Sequence, residues 1–154
     1  MRPLKRLKLV LGLLLVPMLV IGGFTVESIA AEVIMYKNPS CGCCGAWAKH
    51  MRGAGFVVQE MPRENMAAVK EKHGVSAGLA SCHTAIVDGY VIEGHVPASD
   101  VQRLLQERPQ IVGLTAPGMP MQSPGMQAEG IPPKHYSVLA FDKQGKVKVY
   151  HRYE

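Results

Sequence analysis

The sequence predicts one α/β domain built on a mixed sheet, and three observations carry that prediction. Short runs rich in β-forming residues alternate with amphipathic helical stretches. Two of those runs flank an Asp-Gly pair, the two-residue signature of a β-hairpin. A Cys-x-x-Cys stands where the first run gives way to the first helix.

The first run, Val33 to Tyr36, is short and apolar. Asn38, Pro39 and Ser40 suit a turn and a helix cap. From Gly42 to Ala54 the apolar residues Trp47, Met51 and Ala54 recur at helical spacing, and Gly55 ends the run. Phe56 to Glu60 reads as a second strand. In "RENMAAVKEKHG" Met66, Val69 and His73 share one side of a second helix, with Gly74 after its end. Thr84 to Val87 and Tyr90 to Glu93 form the hairpin around Asp88-Gly89. "PASDVQRLLQE" is a helix with Pro97 at its start, Val101, Leu104 and Leu105 on its apolar face, and Pro109 beyond its end. The order β-α-β-α-β-β-α is thioredoxin-like.

The remainder differs in kind. "GLTAPGMPMQSPGMQAEGIPPKH" is rich in Pro, Gly and Met, lacks a period, and reads as a long loop, either disordered or functional. Tyr136 to Phe141 and Lys146 to Tyr150 then form a C-terminal hairpin. No internal repeat is present.

The amino terminus reads as an export signal occupying residues 1–30. "MRPLKRLK" is basic, an apolar run follows, and Ser28 and Ala30 supply the small residues a signal peptidase needs. Such a segment touches a membrane only if it stays uncleaved, and its small-residue exit favours cleavage. The expected location is the periplasm, with residues 31–154 as the mature domain. Residues 1–30 hold four of the 17 basic and one of the 12 acidic residues, so the mature part carries only +2. The basic character belongs largely to the signal, and nucleic acid has no support as a partner.

The chemistry lies in four cysteines, Cys41, Cys43, Cys44 and Cys82. Structural staple, redox couple and metal ligand set are all open to them. Three cysteines in four positions close no long loop, so spacing disfavours a staple. At a helix amino terminus, unpaired N–H groups and the helix dipole stabilise a thiolate, which is both nucleophile and metal ligand. Cys43 is superfluous to a dithiol catalyst but useful to a soft metal, since thiolates select Cu(I), zinc or iron–sulfur clusters. In the thioredoxin-like order, the turn before the third strand faces the Cys-x-x-Cys, which brings Cys82 into a four-sulfur site. Met119, Met121 and Met126 add thioethers suited to Cu(I), or else pack the loop over apolar surface. His83, beside Cys82, and His95, after the hairpin, are further candidate ligands. His50, His73, His135 and His151 are weaker ones.

Three separated stretches, "MYKNPSCGCCGAW", "SCHTAIVDGYVIEGHVP" and "GLTAPGMPMQSPGM", resemble the CopG-like copper-binding proteins of bacterial copper-resistance systems, formerly a family of unknown function. The resemblance covers essentially residues 33–150. It implies an exported protein with a thioredoxin-related fold, binding copper through Cys41, Cys43, Cys44 and Cys82. The expected function is to hold Cu(I), as one or several ions, for copper homeostasis and resistance, with other periplasmic copper-handling proteins as partners. A role in copper redox conversion has been proposed for the family. The alternative is therefore an enzyme, a copper or thiol–disulfide oxidoreductase using the same cysteines. The proline that thioredoxins place before the third strand is replaced by Ser81-Cys82-His83, which weakens general disulfide exchange.

Overall fold

In the computed structural model, which describes residues 30–154, the chain runs β1 (Glu32–Lys37), α1 (Gly42–Gly53), β2 (Val57–Pro62), α2 (Met66–Lys72), β3 (His83–Val87), β4 (Tyr90–Glu93), α3 (Ala98–Glu107), β5 (Gly113–Thr115), β6 (Tyr136–Phe141) and β7 (Val147–Tyr153). The expected signal segment lies outside the described residues, save for its last one. No helix among the described residues is long and apolar enough to cross a membrane.

The described strands form one seven-stranded mixed sheet in the order β2-β1-β3-β4-β5-β6-β7. β1 pairs with β2 and β4 with β5 in parallel; the other neighbours are antiparallel. The hairpin between β3 and β4 turns where expected, with Asp88 at φ 46° and Gly89 at φ 83°. Two successive positive φ values are what a tight right-twisted hairpin demands. Asn65 caps α2 by accepting the Ala68 N–H at 3.1 Å, while Arg108 ends α3 in the left-handed conformation just before Pro109.

Two expectations need correction. Asn38–Ser40 forms the expected turn, the Asn38 carboxamide oxygen accepting from the N–H and hydroxyl of Ser40, but none of the three caps α1, whose cap position falls to Cys41. The loop after α3 begins later than expected, because Gly113–Thr115 is a strand hydrogen-bonded on both sides. Three residues are too few to show a period, so only tertiary pairing reveals them. Through β5 the C-terminal hairpin joins the main sheet. Its second strand starts one residue later than expected and runs on to Tyr153, with an irregularity at Val138/Leu139.

Helices α1 and α3 cover one face of the sheet. Trp47, Ala48 and Met51 from α1 and Val101 and Leu104 from α3 are fully buried against Val33, Met35, Ala85, Ile92, Leu114 and Val138. Val75 and Leu79, from the segment after α2, cover Val91 and Phe141 on the other face. α2 itself buries no residue completely. The end of β7 is tied to α3 by Asp100, whose carboxylate accepts from Arg103, from His151 Nδ1 and from the Tyr153 hydroxyl, each at 2.8 Å.

The β4–β5 pairing leaves no room for a side chain at Gly113, where a Cβ would stand 1.8 Å from the Val91 carbonyl oxygen. Gly113→Ala should therefore cost about 1–3 kcal/mol, the usual price of overpacking. Urea unfolding of the reduced protein measures it, and an unchanged midpoint would mean that β5 does not hold this register.

Candidate metal centre

Strand direction assembles the site. β1 and β3 are antiparallel, with Lys37 opposite His83, so the carboxyl end of β1 and the amino end of β3 meet at one edge of the sheet. The Asn38–Ser40 turn leads from Lys37 into Cys41, while Cys82 immediately precedes His83. β4 ends at that same edge, with Glu93 opposite Thr84 and His95 two residues on. Thr115 of β5 lies beside Glu93, so the Pro/Gly/Met loop also starts there.

The structure brings together all four cysteines that the sequence singles out. Their sulfurs lie within 4.8 Å of one another. Cys43 Sγ is 3.6 Å from Cys41 Sγ and 4.0 Å from Cys82 Sγ. Cys41 and Cys44 are joined in a disulfide, while Cys43 and Cys82 are free. A two-disulfide staple is therefore absent among the described residues, and the Cys-x-x-Cys stands in its oxidised form.

Cys82 also belongs to a second group, with His83 and His95. Its sulfur is 3.4 Å from His83 Nδ1 and 3.0 Å from His95 Nε2. Both imidazoles are fully buried. His95 Nδ1 lies 2.7 Å from the Pro124 carbonyl. A carbonyl oxygen only accepts, so Nδ1 carries the proton and Nε2 turns its lone pair toward Cys82. Fixing the tautomer through the remote nitrogen is how metal-ligating histidines are usually held. His83 packs against Trp47, ring centroids 4.4 Å apart, and its Nε2 is buried without a hydrogen-bond partner among the described residues. Burial holds both imidazoles below the usual histidine pKa, with His95 also disfavouring charge on His83. They are neutral, the form that binds a metal.

The methionines separate into two classes. Met119 and Met121 are 58% and 69% exposed, whereas Met126 is partly buried. The loop that carries them is anchored over the site. Gly118 pairs with Ser81: its N–H donates to the Ala80 carbonyl at 2.9 Å and its carbonyl accepts the Ser81 hydroxyl. Gly125 sits so close to α1 that a Cβ would come 2.6 Å from Trp47 N and 3.0 Å from the Cys43 carbonyl. His50 lies on α1, its Nε2 accepting the Ala98 N–H, and His73 stacks on Tyr36; His135 is exposed and His151 binds Asp100. None of these four joins a group of candidate ligands among the described residues.

Sequence reasoning missed a buried ion pair beneath Cys82. The fully buried Glu93 carboxylate takes Lys70 Nζ at 2.5 Å and the Ser81 N–H at 2.6 Å on Oε1, and the Thr84 hydroxyl at 2.7 Å on Oε2. Burial raises its pKa, and Lys70 and the two other donors pull it back. The available signal was the lone acid in "GYVIEGHVP", since a charge on a buried strand requires a partner.

The donor set fits a soft ion. Thiolates and neutral imidazoles suit Cu(I), and no carboxylate belongs to either group of candidate ligands among the described residues. The chain has relatives among known proteins. Residues 79–126 match a family described as "Protein of unknown function, DUF411". The chain is similar to a solved structure described as "Copper resistance protein copG- Form 2", with 38% identity and a TM-score of 0.76 over 82% of this chain and 100% of that one. A second, "Copper resistance protein copG- Form 1", is also 38% identical, with a TM-score of 0.74 over 81% and 98% of the two chains. No curated protein matches this chain.

Burial, and then the neighbouring Cys43, push the Cys82 thiol up to about 12. At neutral pH this sulfur holds its proton, and a metal must displace it. Affinity for Cu(I) should therefore rise with pH by about tenfold per unit for each proton released. Chelator competition at two pH values, paired with proton counting in weak buffer, checks this. A pH-independent affinity would mean that Cys82 is not a ligand.

Proposed function

The chain belongs to the CopG-like family of copper resistance proteins, and from that premise we propose that it is an exported protein that holds Cu(I) on Cys41, Cys43, Cys44 and Cys82. One observation carries the reading: sulfurs from two distant parts of the chain converge within 4.8 Å, with Cys82 shared between them and two buried imidazoles. Three sulfurs drawn from four consecutive positions would crowd one tetrahedral ion, so a cluster in which sulfurs bridge several ions fits the set better. His83 and His95 complete the coordination from beneath. Export rests on the basic, apolar and small-residue pattern of residues 1–30, and places the protein in the periplasm, where it receives copper from, or passes it to, other copper-handling proteins.

The Cys41–Cys44 disulfide gives this site two capacities. Oxidised, it offers the thiols of Cys43 and Cys82 with two imidazoles; reduced, it offers four thiols with the same imidazoles. Metal analysis with thiol counting should find more Cu(I) on the reduced protein than on the oxidised one. Cys82→Ser should lower uptake in both forms. Equal uptake by the reduced wild type and a variant with all four cysteines changed to serine ends the thiolate reading.

The same disulfide favours a second reading, a copper oxidoreductase. Closing Cys41–Cys44 from the dithiol releases two electrons and two protons, which balances reduction of two Cu(II) to two Cu(I). In the storage reading, bound copper occupies the sulfur lone pairs, so copper-loaded protein should be nearly inert in insulin reduction, with any activity confined to the metal-free form. Turnover measured against copper occupancy separates the two, and robust turnover at full loading makes the enzyme reading the better one.

A further inference from the structure

β7 is an outer strand of the sheet, and its backbone is open on one side. The Asp142 N–H donates to the Lys146 carbonyl at 3.1 Å, so that pair is a hydrogen-bonded one. Bonded and non-bonded pairs alternate along an antiparallel ladder. Val147 opposite Phe141 and Val149 opposite Leu139 are therefore non-bonded pairs, with their N–H and C=O groups turned away from β6. No strand among the described residues lies on that side. The side chains of the same two residues are 42% and 53% exposed. They share the face of Phe141, whose cover by Val75 and Leu79 stops short of β7. Around them stand Lys143, Lys146, Lys148 and Arg152, all exposed and none in an ion pair among the described residues. The nearest acid, Asp142, spends its carboxylate on the N–H groups of Gln144 and Lys146.

We propose that the outer edge of β7 docks an extended acidic segment of a partner protein, in which Asp or Glu alternates with apolar residues. The segment's backbone bonds to Val147 and Val149 as a further strand of the sheet. Its apolar side chains lie beside the two valines, and its acids meet Lys146 and Lys148 on the opposite face, as the two-residue period of a strand requires. Charge selects this occupant over a second copy of the chain. Antiparallel docking of two copies with Val147 against Val149 sets Lys148 against Lys148, and with Val147 against Val147 it sets Lys146 against Lys148. Like charges directly opposite one another destabilise a pair of strands. Lysines thus guard the edge against its own kind, while the open backbone and the apolar pair between them fit a strand of opposite sign. β5 and β6 separate β7 from β4, the strand that ends at the cysteine site, so the proposal does not depend on what the thiols bind.

The probe is a short peptide of alternating aspartate and valine, added to the isotope-labelled protein at low salt. Amide hydrogen exchange at Val147 and Val149 should slow several-fold, while that at Lys148, already bonded to β6, should not change. A peptide of alternating lysine and valine should bind several-fold more weakly, and an aspartate–valine peptide with N-methylated backbone should not bind. In a Lys146→Glu/Lys148→Glu variant the preference should reverse toward the lysine peptide, an outcome that mere loss of folding cannot produce. Unchanged exchange at the two valines overturns the proposal, as does equal binding of the two charged peptides. Self-association of the peptide-free protein with slowed exchange at Val147 and Val149 overturns it in favour of a second copy. Binding to phosphatidylglycerol vesicles but not to the aspartate peptide overturns it in favour of a lipid surface.

Discussion

The antiparallel pairing of β1 with β3 is the constraint on which the copper end of this molecule depends. With Lys37 set opposite His83, the strand leaving toward Cys41 and the strand arriving from Cys82 must share one edge of the sheet. A slip of one residue would turn His83 away from Trp47 and carry its neighbours to the opposite face, because side chains alternate along a strand. The same edge receives the end of β4, and with it Glu93 and His95, and the end of β5, from which the loop departs. Four strand ends thus deliver thiols, imidazoles and lid to one place. Register is enforced by burial: Val33, Met35, Ala85 and Val87 all belong to the core that packs against α1.

Against that apolar background the Lys70–Glu93 pair is costly. Taking both charges out of water is repaid only when the geometry is good and every lone pair is used, and removing one partner alone typically costs about 3–5 kcal/mol. Glu93 comes close to that condition, since Lys70, Ser81 and Thr84 all donate to it. What it holds is the backbone entering Cys82. Ser81 gives its N–H to Glu93 and its hydroxyl to Gly118, so one residue fastens the distal cysteine to the sheet below and to the loop above. A site that handles a metal needs its ligands set before the metal arrives, and a carboxylate held by three donors is a rigid means of setting them.

How much of this was legible beforehand follows from the range of each interaction. α1, α2, α3 and the Asp88-Gly89 hairpin write their periods and turn residues locally, and each appears near its expected position. The four cysteines were legible through residue type and through the order of elements that brings Cys82 across. β5 was not, because three residues carry no period and become a strand only through partners on both sides. The pairing of Asn38 with Ser40 in place of the helix was likewise a choice between two local acceptances that composition does not decide. The grip of Pro124 on His95 and of Glu93 on Ser81 joins residues far apart in the chain, with nothing in either stretch to name the other. The exposure of Met119 and Met121, as against the partial burial of Met126, is a property of how the loop lies.

Trp47 is the chain's one tryptophan, and it is wholly buried with its indole N–H on the Val96 carbonyl at 2.8 Å and its ring against His83. Its place in α1 makes it part of the core; its neighbour makes it part of the centre. An indole in van der Waals reach of the His83 imidazole shares its electronic surroundings, so an ion settling on Cys82 and His83 would be felt by the chain's one tryptophan. The molecule carries its own optical gauge of occupancy, needing neither label nor substitution.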